Sequence, residues 1–386
     1  MKLAQLGCGI TGLVSAEHLE KNPRVKELIL ADSKIDAAMD MAARIGSEKI
    51  STRQVDATDT KSLKDLLSGC DMVISAIPWF LNRKVIETAI EVGVDYIDYS
   101  MAVDSVEEWD EIDRKSKDRG VTILTSMGSD PGISDVFARY AANKLDRAVS
   151  ARVMDGDTAT AEGHDFFSLW SPVEMLQEVT VPAAVFKDGK ISYVPPLDER
   201  QIYEFPEPVG PLPVYNTMHE ETFLMSRFIE GLEYADFRIA VDDGFARVAN
   251  TLRKLGLHSL DPIEVKGVTV KPLDVVVSLM PRTVDLIGKT EGHACVVVEV
   301  TGVKDGERRL VKVWTSMSHE TAYDICRSNA TGYLVGTGGA VGAELLISGH
   351  VKAKGLIFPE QLPAEEFVSR LPAKHLDVKE EITVLQ

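Results

Sequence analysis

The sequence predicts an α/β protein with an N-terminal doubly wound parallel sheet and an inserted α+β domain that contains a mostly antiparallel sheet. Three observations support this fold class. Short apolar runs alternate with amphipathic stretches over the first 125 residues without hairpin signals, which is typical of β-α-β units. After Val149 the segments become strands separated by turns, and Ser318–Gly349 is again helical and rich in small residues. We expect domains over 1–131 and 132–318, with 319–386 returning to the first.

The elements of the first domain follow from the spacing of its apolar residues. Apolar runs of strand length predict buried parallel strands, and apolar residues three or four positions apart predict helices. The default connection between such strands is right-handed. The predicted strands are Leu3–Leu6, Leu28–Ala31, Ile50–Val55, Met72–Ala76, Tyr96–Asp98 and Val121–Leu124. The predicted helices are Thr11–Lys21, Ile35–Ile45, Thr60–Leu67, Asn82–Val92 and Asp104–Arg119.

The second domain is predicted from short apolar runs bounded by turn residues. Lys187–Lys190 and Lys304–Glu307 each contain an Asp-Gly pair, which favours a hairpin turn. Six prolines between Val194 and Tyr215 indicate an extended connector. The predicted strands are Ala151–Met154, Lys190–Val194, Tyr234–Val241, Val275–Leu279, Cys295–Val300 and Leu310–Thr315.

The charge balance argues against several classes of partner. The chain has 42 basic and 60 acidic residues and a net charge of −18, which repels phosphate backbones and anionic lipid. No apolar run approaches the ~20 residues that span a bilayer. The glycine turn at Gly7 comes too early for a signal-peptide apolar region. We expect a cytoplasmic protein with no nucleic-acid or membrane partner.

Metal and disulfide chemistry are not indicated either. The four cysteines form no CxxC pair, so neither a disulfide scaffold nor a structural zinc site is expected. His219–Phe223 and His319–Tyr323 begin like the zinc motif HExxH but lack its second histidine. We therefore predict no metal site.

The sharpest motif is the GxGxxG of Gly7–Gly12, which follows a predicted strand and opens a predicted helix. Gly7 permits the tight turn, Gly9 lets the backbone approach a diphosphate, and Gly12 allows close contact between helix and strand. The first helical residues, Ile10 and Thr11, offer unpaired N–H groups to the phosphates. This motif predicts a Rossmann domain that binds a dinucleotide.

Asp32 lies twenty residues after Gly12, at the end of the second predicted strand. A carboxylate there accepts hydrogen bonds from both ribose hydroxyls and repels a 2′-phosphate, so NAD is favoured over NADP. Lys34 could instead meet such a phosphate. Further cofactor contacts are predicted at the ends of neighbouring strands, although ordinary strand-end turns would account for the same residues. These candidates are Ser33, Asp56, Ala57, Ala76, Ile77 and Pro78.

A second glycine cluster, Gly336–Gly342, lies within a helical pattern rather than after a strand. Small residues in a helix allow close packing of neighbouring elements. We interpret the cluster as a packing surface, with a second phosphate loop as the less favoured alternative.

Several motifs, taken in order along nearly the whole chain, resemble the saccharopine dehydrogenase-like oxidoreductases and in particular their lysine 6-dehydrogenase branch. The motifs are Gly7–Gly12 with Leu30–Asp32, Asp56–Ala57, Asp130–Gly132, Phe167–Pro172, Phe186–Lys190, Asp261–Ile263, Val270–Asp274 and Gly355–Glu360. His219–Glu221 and Ser318–Glu320 look nearer to the carboxynorspermidine dehydrogenase branch. Members of that branch tend to prefer NADPH and lack an acidic residue at the position of Asp32.

The resemblance implies a Rossmann domain with an inserted substrate and dimerisation domain, a homodimer, and NAD(P)-dependent chemistry at a C–N bond of an amino acid or diamine. The first expectation is oxidative deamination of the lysine 6-dehydrogenase type. Removing the proton of a lysine-like ammonium at pH 7 costs roughly 4–5 kcal/mol, so the site needs a base or a desolvated pocket. Two alternatives stay open: reductive condensation of an amine with a carbonyl compound, and a non-catalytic NAD-binding sensor.

Three residues are the candidates for proton transfer and amine binding. Asp130 matches the Asp-Pro-Gly of the family and would hold the amine, although a helix N-cap followed by Pro131 explains it equally well. His219 would accept the proton and Glu220 would orient it, with a capped helix start as the alternative.

Substrate-binding candidates are His164 and Trp170, which could line a pocket, and Arg227, which could bind a substrate carboxylate. Packing, loop hydrogen bonding or a surface ion pair would explain these three residues as well.

Overall fold

The computed structural model describes residues 1–100 and 105–386 and divides them into two compact units. Unit 1 comprises Met1–Tyr140 and Gly332–Asp377, and unit 2 comprises Ala141–Thr331 and Val378–Gln386. The predicted boundaries at 131 and 318 therefore need correction. The helix that follows residue 131 belongs to unit 1, and its Val136 and Phe137 are fully buried. The last nine residues belong to unit 2 instead of returning to unit 1.

The first part of unit 1 alternates strands and helices. In chain order the elements are β1 Lys2–Leu6, α1 Ile10–Glu20, β2 Glu27–Asp32, α2 Ile35–Ile45, β3 Ile50–Gln54, α3 Thr60–Leu67, β4 Met72–Ser75, α4 Trp79–Val92, β5 Asp95–Asp98, α5 Val106–Arg119, β6 Thr122–Leu124 and α6 Ile133–Ala142. Asp104, the first residue of one predicted helix, lies outside the described residues.

Unit 2 is built mainly from strands. Its elements are β7 Arg147–Asp157, β8 Thr160–Ala161, α7 Pro172–Thr180, β9 Ala183–Lys187, β10 Lys190–Val194, β11 Asp198–Glu204, β12 Pro211–Asn216, α8 Glu221–Phe228, β13 Tyr234–Ala240, α9 Asp243–Lys254, β14 Ile263–Val265, β15 Val268–Val270, α10 Pro272–Leu279, α11 Thr283–Leu286, β16 Thr290–Glu291, β17 His293–Lys304, β18 Glu307–Ser318 and α12 His319–Cys326.

The remaining elements complete both units. They are α13 Ala330–Ser348, β19 Gly355–Ile357, a 3₁₀ turn Pro359–Gln361, α14 Ala364–Arg370, a second 3₁₀ turn Pro372–Lys374, and β20 Lys379–Val384.

The sheet of unit 1 has seven strands in the order β19-β6-β5-β4-β1-β2-β3, and every pair is parallel. Strands β1 and β4 are almost wholly buried, as expected of a parallel sheet covered on both faces. The order reverses at β1, between β4 on one side and β2 on the other. The predicted doubly wound architecture is confirmed, with β19 as a strand that the sequence had not indicated.

The sheet of unit 2 has nine strands and is mostly antiparallel, with one parallel pair, β13 and β7. Both Asp-Gly turns are confirmed. Asp188 and Gly189 have φ of 50° and 78°, and Asp305 and Gly306 have 52° and 79°, which suits the two-residue hairpin turns that join β9 to β10 and β17 to β18.

Two predictions for unit 2 are wrong. Val275–Leu279 is the end of helix α10, which begins at Pro272; a short apolar run has no periodicity that distinguishes a strand from a helix, and proline is favoured in a first helical turn. The proline-rich stretch 194–215 is a pair of antiparallel strands, β11 and β12, rather than a plain connector.

The second glycine cluster packs helix α13 against the rest of unit 1. A Cβ atom on Gly336 would lie 2.6 Å from the Thr11 carbonyl oxygen, and one on Gly338 would lie 2.0 Å from the Gly128 carbonyl oxygen. The interpretation of this cluster as a packing surface is confirmed. Across the described ranges, no helix is both long and apolar enough to cross a bilayer.

Candidate functional site

The glycine turn between β1 and α1 has two glycines where a Cβ atom would clash and one where it would not. Gly7 has φ +94°, and a Cβ there would lie 2.3 Å from the Ala76 carbonyl oxygen. A Cβ on Gly12 would lie 2.2 Å from the Gly7 carbonyl oxygen. A Cβ on Gly9 would meet no atom within 4 Å. Gly7 and Gly12 are thus required by the packing of the protein itself, whereas Gly9 faces open space.

That open space lies at the N-terminus of α1, where Gly9 is the capping residue and no side chain caps the helix. The first N–H groups of a helix attract anions, and Ile10 and Thr11 are its first two residues. The turn therefore fits a diphosphate, because no side chain at Gly9 blocks the backbone and the N-terminus of α1 supplies N–H donors. When a nicotinamide dinucleotide is bound, it supplies or accepts a hydride.

Asp32 ends β2 and lies beside this turn. Its carboxylate accepts the N–H of Cys8 at 2.9 Å and the N–H of Lys34 at 2.9 Å. Since each carboxylate oxygen can accept a second hydrogen bond, Asp32 keeps the capacity to receive ribose hydroxyls. Burial, together with the charge of Asp32, raises the pKa of the Cys8 thiol to about 12, so Cys8 is a protonated packing residue.

The other predicted cofactor residues divide into two groups. Ala76 and Ile77 contact the glycine turn at Gly7, and Pro78 follows them as the residue before α4. They lie after β4, next to the point where the strand order reverses, which is where dinucleotides bind in such sheets. Ser33 is exposed. The Asp56 carboxylate, next to Ala57, accepts the N–H and hydroxyl of Thr58 at 2.8 and 2.7 Å in a local turn.

Asp130 lies in the turn between β6 and α6. The helix starts at Ile133, so the expected arrangement with Asp130 as N-cap and Pro131 as first helical residue is wrong. The Gly132 N–H instead donates to the Asp135 carboxylate at 2.8 Å. Gly132 has φ +134°, and a Cβ on it would lie 2.3 Å from the Gly128 carbonyl oxygen. The turn is therefore tightly folded, with Asp130 three residues before the first helical residue.

His219 lies just before α8 and is 8% exposed. Its Nδ1 forms a hydrogen bond with the carboxylate of Glu221, which is fully buried. The predicted partner Glu220 is more distant, with 3.7 Å between its Oε2 and the same nitrogen. Glu221 is the principal partner, and the pairing with Glu220 needs this correction. Atoms of all three side chains lie within 4.8 Å of one another. The hydrogen bond between His219 and Glu221 accounts for this proximity without a metal ion.

The charge state of His219 follows from its surroundings. Its ring stacks on Phe237 with 3.9 Å between ring centres. Burial lowers the pKa of His219, but the carboxylates of Glu221, Glu220 and Glu178 outweigh it and raise the pKa well above the usual value. These carboxylates therefore favour the protonated form of the ring.

Glu221 was missed although the sequence carries a signal for it. It lies three and four positions before Leu224 and Met225, both of which are fully buried. Residues with that spacing share one face of a helix. The buried face of α8 thus includes Glu221, while Glu220 precedes the helix.

The substrate candidates occupy different places within unit 2. His164 lines a cavity of about 810 Å³, whose walls include Phe166, Phe167 and Arg247. Trp170 packs against a hydrophobic cluster that contains Met175. Arg227 is exposed on α8, with its guanidinium 5.9 Å from the centre of the Phe228 ring. His219 is not part of the lining of that cavity.

Two family models match almost the whole chain. The saccharopine dehydrogenase NADP binding domain matches residues 3–124, and the saccharopine dehydrogenase C-terminal domain matches residues 128–376. The chain belongs to the saccharopine dehydrogenase family. This membership confirms the resemblance that the sequence motifs indicated.

Relatives of this saccharopine dehydrogenase family member include a carboxynorspermidine synthase of Vibrio alginolyticus, 28% identical over 98% of this chain and 96% of that protein. A carboxyaminopropylagmatine dehydrogenase of Synechocystis is 24% identical over 96% of this chain and 95% of that protein. The solved structure of saccharopine dehydrogenase (L-Glu forming) from Saccharomyces cerevisiae has a TM-score of 0.76 at 18% identity and covers 99% of both chains. The two-domain fold and an NAD(P)-dependent dehydrogenase are thereby confirmed.

Proposed function

We propose that this protein joins an amine to a carbonyl compound through a new C–N bond, with NAD(P)H as reductant. The observation that carries the proposal is a buried His219 whose Nδ1 is hydrogen-bonded to the Glu221 carboxylate, in a chain whose full-length relatives include a carboxynorspermidine synthase. Condensation of an amine with a carbonyl group needs an acid, because a hydroxyl group must leave as water. An imidazolium is the side chain best suited to that task near neutral pH.

The balanced reaction has two stages. The amine nitrogen attacks the carbonyl carbon, and the resulting carbinolamine loses water to give an imine. The imine carbon would then be reduced by the hydride that NAD(P)H supplies when the turn at Gly9 and Asp32 hold it. The sum is R–NH₂ + R′–CHO + NAD(P)H + H⁺ → R–NH–CH₂–R′ + NAD(P)⁺ + H₂O.

Each candidate residue has a distinct task in this proposal. His219 donates a proton to the departing hydroxyl group, and Glu221 holds the ring by its Nδ1, which leaves Nε2 for proton transfer. The Asp130 carboxylate binds the substrate as the neutral amine by accepting a hydrogen bond from R–NH₂, so the nitrogen lone pair is free to attack. The turn at Gly9 receives the diphosphate and Asp32 receives the ribose.

Asp32 bears on the choice of cofactor and on the direction of the reaction. A carboxylate at the end of β2 suits the 2′-hydroxyl of NAD rather than a 2′-phosphate, and we propose NAD as the preferred cofactor. The same residue favours oxidative deamination of the lysine 6-dehydrogenase type as the second candidate function. In that direction the His219 imidazole would have to accept a proton, which its raised pKa opposes.

Three further expectations stay proposals. We propose a homodimer located in the cytoplasm, with no nucleic-acid partner. The net charge of −18 supports the last point.

The test is a matrix of diamines and amino acids against short aldehydes and oxo acids, with NADH or NADPH consumption read from absorbance at neutral pH. We expect oxidation of the cofactor only when an amine and a carbonyl compound are both present. The variant His219→Gln should lower kcat by about 10²-fold or more, and His350→Gln, at a partly exposed histidine with no role in the proposed site, serves as a matched histidine control. Oxidation of an amine by NAD alone would favour the deamination reaction. Tight cofactor binding without any turnover would favour the sensor.

A further inference from the structure

Asp98 ends strand β5 with a fully buried carboxyl group. Its Oδ1 accepts the hydroxyl of Thr125 at 2.8 Å and the N–H of Ser126 at 2.9 Å. Its Oδ2 accepts the hydroxyl of Tyr96 at 2.8 Å. All these contacts lie within unit 1, and two of them come from the chain just after β6. The carboxyl therefore ties the end of β5 to the start of the turn that follows β6.

That turn starts from an unusual backbone conformation. Ser126 has φ +62°, which L side chains rarely adopt and which persists only when the surroundings over-determine it. Asp98 provides the constraint twice, because its carbonyl oxygen also accepts the N–H of Met127 at 2.9 Å. The Ser126 hydroxyl itself is buried and has no partner among the described residues, so its side chain contributes nothing to this constraint.

The rest of the turn is fixed by backbone contacts around Asp130. The Gly128 N–H donates to the Pro131 carbonyl oxygen at 2.8 Å, and the Ile133 N–H donates to the Gly128 carbonyl oxygen at 3.1 Å. Residues 128–133 thus form a closed turn, and Ser126 and Met127 lead the chain into it. Asp98 holds both of these residues and so anchors the chain where it enters the turn.

We propose that Asp98 is a positioning residue that holds Ser126 in its left-handed conformation and so fixes where Asp130 presents its carboxylate to the substrate amine. This inference rests on the proposed function, because it assigns Asp98 a task only if Asp130 binds an amine. No role is assigned to Asp98 by the sequence motifs.

Asp95, at the other end of strand β5, offers a comparison, because it also links β5 to β6. Asp95 accepts the N–H of Thr122 at 2.7 Å and the ammonium of Lys354 at 3.2 Å. That carboxylate has a cation and partial exposure. Asp98 is fully buried. Among the described residues, the groups that face it are the hydroxyls of Tyr96 and Thr125, the N–H groups of Ser126 and Ser100, and the side chain of Tyr99, whose pKa is raised mainly by burial and further by the charge of Asp98.

The negative charge on Asp98 strengthens the hydrogen bonds that its carboxylate accepts from the turn. Burial raises the pKa of Asp98 to about 7, although its hydrogen bonds lower it. Below that pH the group becomes neutral, and neutral acceptors bind N–H and O–H groups about half as strongly as ionised ones. The anchor should therefore weaken as the pH falls through about 7.

The test uses Asp98→Asn and Asp98→Ala, with Asp95→Asn as the matched control. An asparagine keeps an oxygen for Thr125 and Ser126 and can donate to the Tyr96 oxygen, but it does not titrate. For Asp98→Ala we expect KM for the amine to rise by about tenfold or more, with the Kd of NADH changed by less than about twofold. Asp98→Asn should retain measurable turnover and lose the acid limb of the kcat/KM profile near pH 7.

Amide hydrogen exchange provides a readout that does not depend on turnover. In Asp98→Ala the peptide covering 125–132 should exchange about tenfold faster or more, while the rest of the parallel sheet is unchanged. The inference is overturned if wild-type protein turns over but the Asp98 variants behave like Asp95→Asn in KM, pH profile and exchange. If the wild-type protein itself fails to couple any amine, the proposed function is overturned, and the task assigned to Asp98 is overturned with it.

Discussion

Replacing Asp32 with alanine is expected to change cofactor preference as well as affinity. The carboxylate lies beside the glycine turn, fixed by the N–H groups of Cys8 and Lys34 at 2.9 Å each. Hydrogen bonds from ribose hydroxyls to a carboxylate contribute about 1.5–3 kcal/mol each. Loss of two such bonds should weaken NADH binding by about 3 kcal/mol, or roughly 100-fold.

The expected effect on NADPH is different. A 2′-phosphate adds negative charge at the place where Asp32 carries its own, so removal of the carboxylate relieves repulsion. NADPH affinity should stay the same or rise, and the ratio of the two affinities should shift by about 100-fold or more toward NADPH.

Fluorescence titration of purified protein with NADH and NADPH measures both affinities. Asp36→Ala, an exposed carboxylate in the first turn of α2, is the matched charge control and should leave the ratio unchanged. Loss of the two backbone contacts should also lower stability by about 1 kcal/mol. If Asp32→Ala weakens both cofactors equally, the turn has been damaged and the ribose assignment is wrong. An unchanged ratio contradicts the assignment as well.

Four other substitutions test separate parts of the structure. Gly9→Ala should leave the free energy of unfolding within about 0.5 kcal/mol and weaken NADH binding by about tenfold or more, since a Cβ there meets nothing in the protein. Gly338→Ala should lower the unfolding free energy in urea by about 1–3 kcal/mol, because its Cβ would lie 2.0 Å from the Gly128 carbonyl oxygen. Glu221→Gln removes a carboxylate that raises the pKa of His219, so the alkaline limb of the rate profile should move to lower pH; an unmoved limb would exclude His219 as the acid. Asp98→Asn should raise the free energy of unfolding most at high pH. Because the pKa of Asp98 is higher in the folded protein, the group contributes stability below its pKa in the unfolded chain, near 4. That contribution is lost as the pH rises through about 7, at up to about 1.4 kcal/mol per pH unit. Chemical denaturation of both proteins at pH 5, 6, 7 and 8 measures the difference, which should grow up to about pH 7 and level off above it.

The parallel domain could be predicted because its determinants are local. Strands β1, β2, β4 and β6 each have an apolar run of their own, and the glycine turn carries its spacing within six residues. Strand β19 was missed because Gly355–Ile357 is only three residues long and owes its conformation to its pairing with β6. Helix α10 was misassigned for a related reason: its apolar run has no polar interruption to show a period.

The chemistry of the candidate site was predicted less completely, because buried polar residues have no signal in a count of apolar positions. Glu221 could have been found from its place on the buried face of α8, yet the adjacent Glu220 looked equivalent in the sequence. Asp98 has no such signal. Its importance depends on Ser126, which lies 28 residues away in the chain and meets it only because β5 and β6 are neighbours in the sheet.

Transfer of a labelled hydride tests the central claim most directly. An active pair of amine and aldehyde is incubated with reduced dinucleotide deuterated at C4 of the nicotinamide, in separate reactions for each face, and the products are analysed by mass spectrometry. For one of the two faces, the predicted product is a secondary amine with a single deuterium on the carbon that came from the aldehyde. A deuterated alcohol, which would mean simple reduction of the aldehyde, or a coupled product without deuterium from both labelled cofactors would contradict the account.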